Sequence, residues 1–285
     1  MNRTTGTNKK IRVGGRTLGP GPVLVGILNV TPDSFSDGGD FLNPERAVKQ
    51  AATMLDEGAG ILDVGGESTR PGSEPVSPEE ELRRVIPAIR SILDAHPEAT
   101  ISIDTYRAAT AEAALEAGAQ IVNDVTALRG DPSLAGVVAK AGCPVVLMHM
   151  LGEPKTMQRQ PRYEDVVREV RGFLAGKAEH AESAGISPEN IILDPGIGFG
   201  KTIEHNLTLL NHLDAIADLG YPVLLGASRK GFIGKTSGIE EAKDRVSGTV
   251  ATSVLGYERG ATFFRVHDVR ANREALEVAE VILHG

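Results

Sequence analysis

The sequence predicts a single-domain α/β protein built as a (β/α)8 barrel, also called a TIM barrel, and three observations carry this prediction. Short apolar, β-branched segments occur eight times along the 285 residues. Segments with apolar residues at helical spacing lie between them, and several repeat units begin with a small-residue turn. Continuous apolar character is typical of parallel strands that are buried on both faces. Eight such repeats in one chain favour a closed barrel.

The predicted strands follow the apolar runs directly. They are Val23–Leu28, Ile61–Val64, Ile101–Ile103, Ile121–Val122, Val145–Met148, Ile191–Leu193, Val223–Leu225 and Phe263–Val266. An open, doubly wound sheet is the alternative architecture. It usually has fewer strands and a reversal in their order, so the barrel is preferred.

Eight predicted helices alternate with these strands. In the second, Leu82, Val85 and Ile89 recur at helical spacing, and Ser77 is placed to cap its first turn. The predicted helices are Pro44–Glu57, Pro78–Ala95, Tyr106–Ala117, Asp131–Ala141, Tyr163–Ala184, Ile203–Leu219, Glu240–Arg259 and Ala271–His284.

The chain shows no linker that would separate two folded domains. We expect residues 1–22 to form a short N-terminal extension, with a hairpin over the bottom of the barrel, and residues 23–285 to form the barrel domain. The first ten residues are polar and lack the apolar core of a signal peptide. No apolar run approaches the length needed to cross a bilayer, so we expect a cytoplasmic protein without a membrane partner.

The composition argues against nucleic acid as a partner. The net charge is −8, the chain has no Trp, and 4% of its residues are aromatic. A negative chain repels nucleic acid and anionic membranes, and few aromatic rings are available for base stacking. A local cluster of Arg and Lys could still bind an anionic small molecule. The single Cys143 excludes an intrachain disulfide, and we expect it to be buried.

Polar residues follow every predicted strand, which is where a barrel carries its active site. Any one of them is more often structural than catalytic, but their occurrence after all eight strands indicates a composite site. They are Asn29, Asp63 with Glu67, Asp104, Asn123 with Asp124, His149, Asp194, Ser228 to Lys230, and Arg265 with His267.

Three of these strand-end residues are rich in hydrogen-bond acceptors. With Lys230, the side chains of Asp104, Asn123 and Asp194 could recognise a flat heterocycle whose edges carry amino and lactam groups. Buried carboxylates need partners, and ring N–H groups supply them. The alternative, equally supported for each residue alone, is that Asp104 and Asp194 cap the helices that follow.

A second group, Arg70, Arg265 and His267, is of the type that binds anions. Arg265 and His267 alternate with apolar residues in the last strand, so both are predicted to face the same side. An inward Arg–His pair at the top of a barrel favours phosphate or pyrophosphate. A structural ion pair between Arg265 and an Asp is the less favoured alternative.

Asn29 is a neutral oxygen ligand that is followed by Ser34, Ser36 and Asp37. A divalent cation with one protein ligand, several waters and substrate phosphates would be Mg²⁺. An Asn that only stabilises the turn is the alternative. The chain contains no HExxH or CxxC spacing, which argues against zinc.

The segment from Asp194 to Thr202 resembles a phosphate-binding P-loop but fails the pattern, because the first required glycine falls on Pro195. Its glycines are expected to let the backbone approach a ligand, with Phe199 as an apolar wall. Ser228 and the amides after it are expected to bind a carboxylate or phosphate, as loops after the seventh strand of barrels commonly do.

Together these segments resemble the dihydropteroate synthase family, over nearly the whole chain from about Val23 to Ile282. The first two matching motifs are long and specific. The motifs are Gly26-Ile-Leu-Asn-Val-Thr-Pro-Asp-Ser-Phe-Ser-Asp-Gly-Gly39, Asp63-Val-Gly-Gly-Glu-Ser-Thr-Arg-Pro-Gly72, Ile101-Ser-Ile-Asp-Thr105, Asn123-Asp-Val125, Met148-His-Met150, Asp194-Pro-Gly-Ile-Gly-Phe-Gly-Lys201, Ser228-Arg-Lys230 and Arg265-Val-His-Asp-Val269.

The resemblance implies a TIM barrel that joins 6-hydroxymethyl-7,8-dihydropterin diphosphate to p-aminobenzoate, a step in folate synthesis, and it implies a homodimer. Carried over by motif, the pterin would be held by Asp104, Asn123, Asp194 and Lys230. The diphosphate would be held by Asn29, Arg70, Arg265 and His267, with Mg²⁺ near Asn29. The p-aminobenzoate site would be lined by Thr69, Pro71, Phe199 and Ser228.

We expect Asp37, Arg70 and Lys230 to be the catalytic residues of this reaction. The two glycine-bearing loops after the first and second strands are expected to close over the substrates and exclude water. The rival functions are a pterin-binding methyltransferase, an inactive paralogue that holds pterin, and a phosphosugar aldolase. The first would not need the long loop after Asn29, and both loops argue against the second. The third needs a Schiff-base lysine or a set of metal-binding His residues, which the sequence does not show.

Overall fold

The protein is a closed parallel β-barrel surrounded by helices, as seen in a computed structural model that describes residues 9–31, 44–67, 76–152 and 155–284. Eight strands form one sheet, and their order across it begins with Ile191–Asp194 and ends with Leu224–Leu225. A parallel bridge between Leu193 and Val223 joins the two ends of this order and closes the barrel. The predicted (β/α)8 architecture is therefore confirmed, and the open doubly wound sheet is wrong.

Each predicted strand lies within a residue or two of an observed one. Two further strands, Ile11–Val13 (β1) and Arg16–Leu18 (β2), form an antiparallel hairpin before the barrel. The barrel strands are Val23–Asn29 (β3), Ile61–Gly65 (β4), Ile101–Asp104 (β5), Ile121–Asp124 (β6), Val145–Met148 (β7), Ile191–Asp194 (β8), Leu224–Leu225 (β9) and Phe263–Val266 (β10).

The helices of the described residues surround the barrel. Ser77 caps the second of them, because its Oγ accepts a hydrogen bond from the amide of Glu80 (3.2 Å), as the sequence predicts. The helices are Pro44–Asp56 (α1), Pro78–Ala95 (α2), Ala108–Glu116 (α3), Leu134–Ala141 (α4), Val166–Ser183 (α5), Ile203–Asn211 (α6), Asp214–Ala217 (α7), Gly231–Ser237 (α8), Val246–Glu258 (α9) and Val269–His284 (α10).

Two predicted helix boundaries are wrong. The predicted helix Ile203–Leu219 is two helices, and α6 ends at Asn211, whose carbonyl accepts a hydrogen bond from Arg259 Nε (3.1 Å) instead of continuing a helix. The predicted helix Glu240–Arg259 begins six residues late, at Val246, after a short 3-10 turn. Both changes come from tertiary contacts that apolar spacing does not reveal.

Buried apolar residues of the described ranges form two cores and a small third cluster of Val125, Met148, Met150 and Met157. The larger core lies between the strands and the helices. The smaller core fills the lower barrel interior with residues near the starts of strands, including Ile61, Ile121 and Phe263. Ile11 and Val13 of the hairpin belong to this inner core, at 1% and 4% exposure, so the hairpin covers the bottom of the barrel. The domain boundary at residue 22 stays a prediction.

No helix within the described ranges is long and apolar enough to cross a membrane. Cys143 is a free, buried cysteine, as expected.

Candidate active site

The polar residues predicted at the strand ends belong to the strands themselves. Asn29, Asp104 and Asp194 are each the last residue of a strand, one residue beyond the predicted end. Asp104 and Asp194 are 8% and 5% exposed, and Asn29 is half-buried. Because parallel strands of a barrel end at the same rim, these side chains meet at the barrel mouth.

Arg265 is the centre of a polar network that spans four strands. Its Nε donates to Asp63 Oδ2 at 2.6 Å, and its Nη2 donates to Asp104 Oδ2 at 2.8 Å. Asn123 Nδ2 also donates to Asp63 Oδ2, at 3.1 Å. The ion pair that the sequence did not favour for Arg265 is therefore present. The prediction that Arg265 lies inside the barrel mouth is confirmed as well, because its partners line that interior.

The network carries a strongly coupled set of charges. Burial raises the pKa of Asp104 to about 7, and the guanidinium of Arg265 opposes this rise. Burial by itself would lower the pKa of Arg265, but the carboxylates of Asp63 and Asp104 raise it, so the guanidinium keeps its charge. Asp63 Oδ1 is buried and has no hydrogen-bond partner within the described residues. Asp63 was predicted at a strand end, but the sequence assigned no binding role to it.

Asp194 and Lys230 form the second charged group at the mouth. Burial raises the pKa of Asp194, which Lys230 opposes, and burial lowers the pKa of Lys230 to about 8, which Asp194 opposes. Asp194 Oδ1 accepts from the amide of Gly196 at 2.7 Å, so it stabilises the turn after β8.

Neither strand-end aspartate caps the helix that follows it. Helix α6 is capped by Thr202, and α3 begins after Arg107, which gives no side-chain cap. The helix-cap alternative for Asp104 and Asp194 is therefore wrong, and both carboxylates remain available to a ligand in the mouth.

Lys230 and Phe199 lie together, as the predicted site requires. Lys230 Nζ donates to the carbonyl of Ile197 and lies 4.5 Å from the centroid of the Phe199 ring, which is cation–π distance. The loops after β8 and β9 thus form one wall that is apolar on the ring face and cationic at its edge.

The backbone conformation at Arg229 explains how the side chain of Lys230 is directed. Arg229 has a left-handed φ of 58°, which is uncommon for a residue with a Cβ. Its amide donates to Thr249 Oγ1 at 3.0 Å, and its guanidinium makes two bonds to Asp268, at 2.9 and 2.6 Å. These bonds hold the turn that presents Ser228 and Lys230. Sequence reasoning missed the role of Arg229 and Asp268, and the available signal was their position inside two of the motifs.

Ser228 and His267 are in direct contact, which the sequence did not predict. Ser228 Oγ lies 3.0 Å from His267 Nδ1 and accepts from the His267 amide at 3.2 Å. The predicted arylamine residue Ser228 and the predicted diphosphate residue His267 therefore share one position on the rim.

Asn29 is compatible with a magnesium site that has few protein ligands. The described residues contain no group of three His, Cys, Asp or Glu side chains that could hold a metal ion. A cation beside Asn29 would keep mainly water and substrate oxygens as ligands, which is how Mg²⁺ is usually bound with phosphorylated substrates. The predicted site residues Asp37, Thr69, Arg70 and Pro71 lie outside the described residues.

The fold and the site define a class of protein: a (β/α)8-barrel protein with buried acceptor side chains beside basic side chains at the barrel mouth. Comparison with known proteins agrees with this class. A family model described as "Pterin binding enzyme" matches residues 25–267. A dihydropteroate synthase of Synechocystis is 47% identical over 271 residues, which cover 94% of this chain and 93% of that protein. The Escherichia coli dihydropteroate synthase is 45% identical, with 92% of each chain covered.

Solved structures give the same result. The Xanthomonas albilineans dihydropteroate synthase with 4-aminobenzoic acid has a TM-score of 0.91 and 45% identity, covering 98% of this chain and 100% of its own. The same organism's enzyme in complex with 7,8-dihydropteroate has a TM-score of 0.87 and 43% identity, covering 97% and 99%. This chain belongs to the dihydropteroate synthase family. It is an enzyme of folate biosynthesis, a transferase of the pterinylmethyl group.

Proposed function

We propose that the protein condenses 6-hydroxymethyl-7,8-dihydropterin diphosphate with p-aminobenzoate, giving 7,8-dihydropteroate and pyrophosphate, by loss of pyrophosphate before the amine attacks. The observation that carries the proposal is the buried network of Asp63, Asp104, Asn123 and Arg265 at the barrel mouth. This network supports the proposal because hydrogen-bonding groups that suit a ring lie beside a guanidinium whose positive charge suits a leaving anion.

The pterin ring is held by the floor of the site. Asp104 and Asp194 offer carboxylate oxygens to ring N–H groups, and Asn123 offers both an acceptor and a donor. Both carboxyls are buried, so water solvates their charged forms poorly, and this raises the pKa of each. Ring donors would then replace lost solvation, which favours the ionised carboxylates and stabilises positive charge that develops on the ring.

The diphosphate is held by residues of the two neighbouring strands β3 and β10. Arg265 and His267 donate hydrogen bonds to its oxygens, and Asn29 lies at the end of the adjacent strand. When bound near Asn29, Mg²⁺ supplies charge neutralisation to the leaving oxygens. Arg265 keeps its positive charge at all ordinary pH values, so it stabilises pyrophosphate as the C–O bond breaks.

The arylamine binds against Phe199, Lys230 and Ser228. Its ring lies on the Phe199 face, and its carboxylate lies at Ser228 and the amides after it. The amine nitrogen forms the new C–N bond with the pterin methylene and loses one proton to solvent. An aromatic amine is a weak base, so the step needs no strong general base.

Four further residues are assigned by motif alone. Thr69 and Pro71 complete the arylamine pocket, and Arg70 contacts the diphosphate. Asp37 and Arg70 act with Lys230 in catalysis and close the site against water, which would otherwise trap the cation. Substitution of Asp37 or Arg70 should lower turnover more than pterin affinity, and an equal loss of both would contradict this assignment.

A homodimer in the cytoplasm completes the proposal. Helix α10 exposes Val278, Val281 and Ile282 at 60, 69 and 76%. Neighbouring exposed apolar residues on one helix are typical of a buried interface between subunits. Sedimentation velocity should give twice the mass of one chain, and Val281→Asp should give the single-chain mass.

The proposed reaction is tested by pyrophosphate release. Release should require both substrates and stop when either is omitted. A metal chelator should abolish it and added Mg²⁺ should restore it. Pterin binding without release in the presence of p-aminobenzoate would overturn the proposed activity and leave a binding protein.

A further inference from the structure

The loops after β7 and β8 are joined by a buried lysine, and we propose that this residue, Lys201, is a positioning residue for the arylamine wall. The inference deepens the proposed function and rests on it. Lys201 touches none of the substrates in that proposal. It acts through the turn of residues 196–200, in which the Ile197 carbonyl and the Phe199 ring contact Lys230.

The surroundings of Lys201 match the hydrogen-bonding capacity of an ammonium group. The residue is 3% exposed. Its Nζ lies 2.9 Å from His149 Nδ1, 2.9 Å from the carbonyl of Gly196 and 3.1 Å from the carbonyl of Phe199. An ammonium has three protons, and these three acceptors lie within 3.1 Å of it, with the carbonyl of His149 farther away at 3.5 Å. The carbonyls of Gly196 and Phe199 lie near the two ends of one turn, so Lys201 holds these two ends together.

His149 takes part as a neutral acceptor. Its pKa is lowered to about 3, mainly by burial and further by the charges of Lys201 and Arg129. A neutral imidazole that accepts at Nδ1 carries its proton on Nε2. The ring packs edge-on against Phe173, with centroids 4.8 Å apart, and the His149 amide donates to the carbonyl of Asp194 at 2.9 Å. The acceptor for Lys201 is therefore itself fixed.

The two loops approach more closely than any residue with a side chain would permit. A Cβ at Gly196 would lie 1.8 Å from the carbonyl oxygen of His149, and one at Gly200 would lie 2.4 Å from that of Leu151. Both glycines have left-handed φ angles, of 66° and 62°. Tyr163 adds a hydrogen bond from its hydroxyl to the carbonyl of Gly200 at 2.8 Å. The loops therefore pack as one unit around the lysine.

This unit leads mainly to the arylamine side of the site, and it reaches the pterin side through Asp194, whose Oδ1 accepts from the Gly196 amide. Between Gly196 and Gly200 the turn presents the Ile197 carbonyl, which accepts from Lys230, and the Phe199 ring, which lies under the same ammonium. The pterin floor on β5 and β6 is held separately, through Arg265 and Asp63. Loss of Lys201 should therefore displace Phe199 and Lys230 but leave Asp104 and Asn123 in place.

Burying the charge of Lys201 destabilises the folded protein unless hydrogen bonds compensate for the lost water. We therefore infer that the arrangement of groups around Lys201 serves the site. Burial lowers the pKa of Lys201 to about 7, and Asp194 opposes this change. An apolar side chain at this position would avoid the desolvation cost, but the carbonyl of Phe199 would lose the Lys201 donor and the carbonyl of Gly196 would keep only the bond from the Phe199 amide.

The test compares Lys201→Met with Lys140→Met, a control at an exposed lysine on α4 whose side chain is 82% exposed. Steady-state kinetics give kcat and the KM for p-aminobenzoate, and calorimetry gives the Kd for 6-hydroxymethylpterin. In Lys201→Met we expect the KM for p-aminobenzoate to rise about tenfold or more, because small misplacements of positioning groups are expensive. The pterin Kd should rise by a clearly smaller factor, because Asp104 and Asn123 stay in place, and Lys140→Met should match the parent in both quantities.

A second variant keeps the inference testable if Lys201→Met does not fold. Tyr163→Phe removes one bond to the same turn without removing a buried charge, and it should give the same pattern with a smaller rise in KM. An unchanged KM for p-aminobenzoate in a folded Lys201→Met, or equal losses in KM and pterin Kd, would overturn the role of Lys201. Absence of pyrophosphate release by the parent protein would instead overturn the proposed function.

Discussion

The two ends of the barrel interior differ in chemistry although the same strands build both. At the bottom, Ile61, Ile121 and Phe263 meet Ile11 and Val13 of the hairpin in a core without charged side chains. At the top, the same strands carry Asp63, Asn123 and Arg265 in a hydrogen-bonded network. A few residues along a strand therefore separate the part that stabilises the fold from the part that binds and reacts.

Among the substitutions that test this difference, Arg265→Met should have the largest effect on activity. In Arg265→Met the leaving pyrophosphate loses a charged donor, and Asp63 and Asp104 lose their partner. We expect kcat/KM to fall about a thousandfold, the upper end for a lost electrostatic contact. The free energy of unfolding should fall by about 3–5 kcal/mol, as when one partner of a buried ion pair is removed. Initial rates and urea unfolding measure the two quantities.

Arg259→Met is the matched control, because Arg259 lies outside the barrel, bonded to Asn211. It should retain the parent kcat/KM. If Arg265→Met also kept most of the activity, the top of the barrel would not be the reacting end.

A smaller effect on binding is expected from Asp194→Asn. The amide can still accept from Gly196, so the turn is kept, but a charged acceptor for the ring is lost. A hydrogen bond to a charged group contributes about 1.5–3 kcal/mol, so the Kd for a pterin should rise roughly ten- to a hundredfold. Calorimetry with 6-hydroxymethylpterin measures this change. Asp214→Asn, at an exposed helix start, should leave the Kd unaltered.

At the bottom of the barrel, a substitution should lower the stability of the protein and leave its activity unchanged. Ile11→Ala opens space beneath the barrel at a residue that is 1% exposed. Such truncations cost about 2–5 kcal/mol of stability, while kcat per folded molecule should stay at the parent value. Leu207→Ala, at a residue 43% exposed, is the size-matched control and should alter neither quantity. A large fall in kcat for Ile11→Ala would show that the two ends are coupled.

The smallest effect is a dependence of stability on pH. Asp104 has a pKa of about 7 in the folded protein, above its ordinary value of 3.8. The folded state therefore binds more protons than the unfolded state between these values, and the contribution of Asp104 to stability falls as pH rises from about 4 to 7. Urea unfolding across this range should show that Asp104→Asn gains on the parent as pH rises. A constant difference between the two proteins would contradict the raised pKa.

The barrel was predictable from sequence because its signals are local. Each strand is a short apolar run, and its polar end residue follows directly, so Asn29, Asp104 and Asp194 could be placed at one rim by the rule that parallel strands end together. Two helix boundaries were not predictable from apolar spacing. Asn211 accepts a hydrogen bond from the distant Arg259, and Arg245, just before Val246, donates to the carbonyl of Arg229.

The identity of the site residues was also largely determined by sequence, through motifs long enough to specify the family. The partners of those residues were decided by tertiary structure alone. Arg265 reaches Asp63 across 202 positions of the chain, and Lys201 reaches His149 across 52. The spacing of residues in the sequence indicates which side chains point inward. Charge pairing and burial arise only when the barrel closes, and they set the pKa of Asp104 and of Lys201.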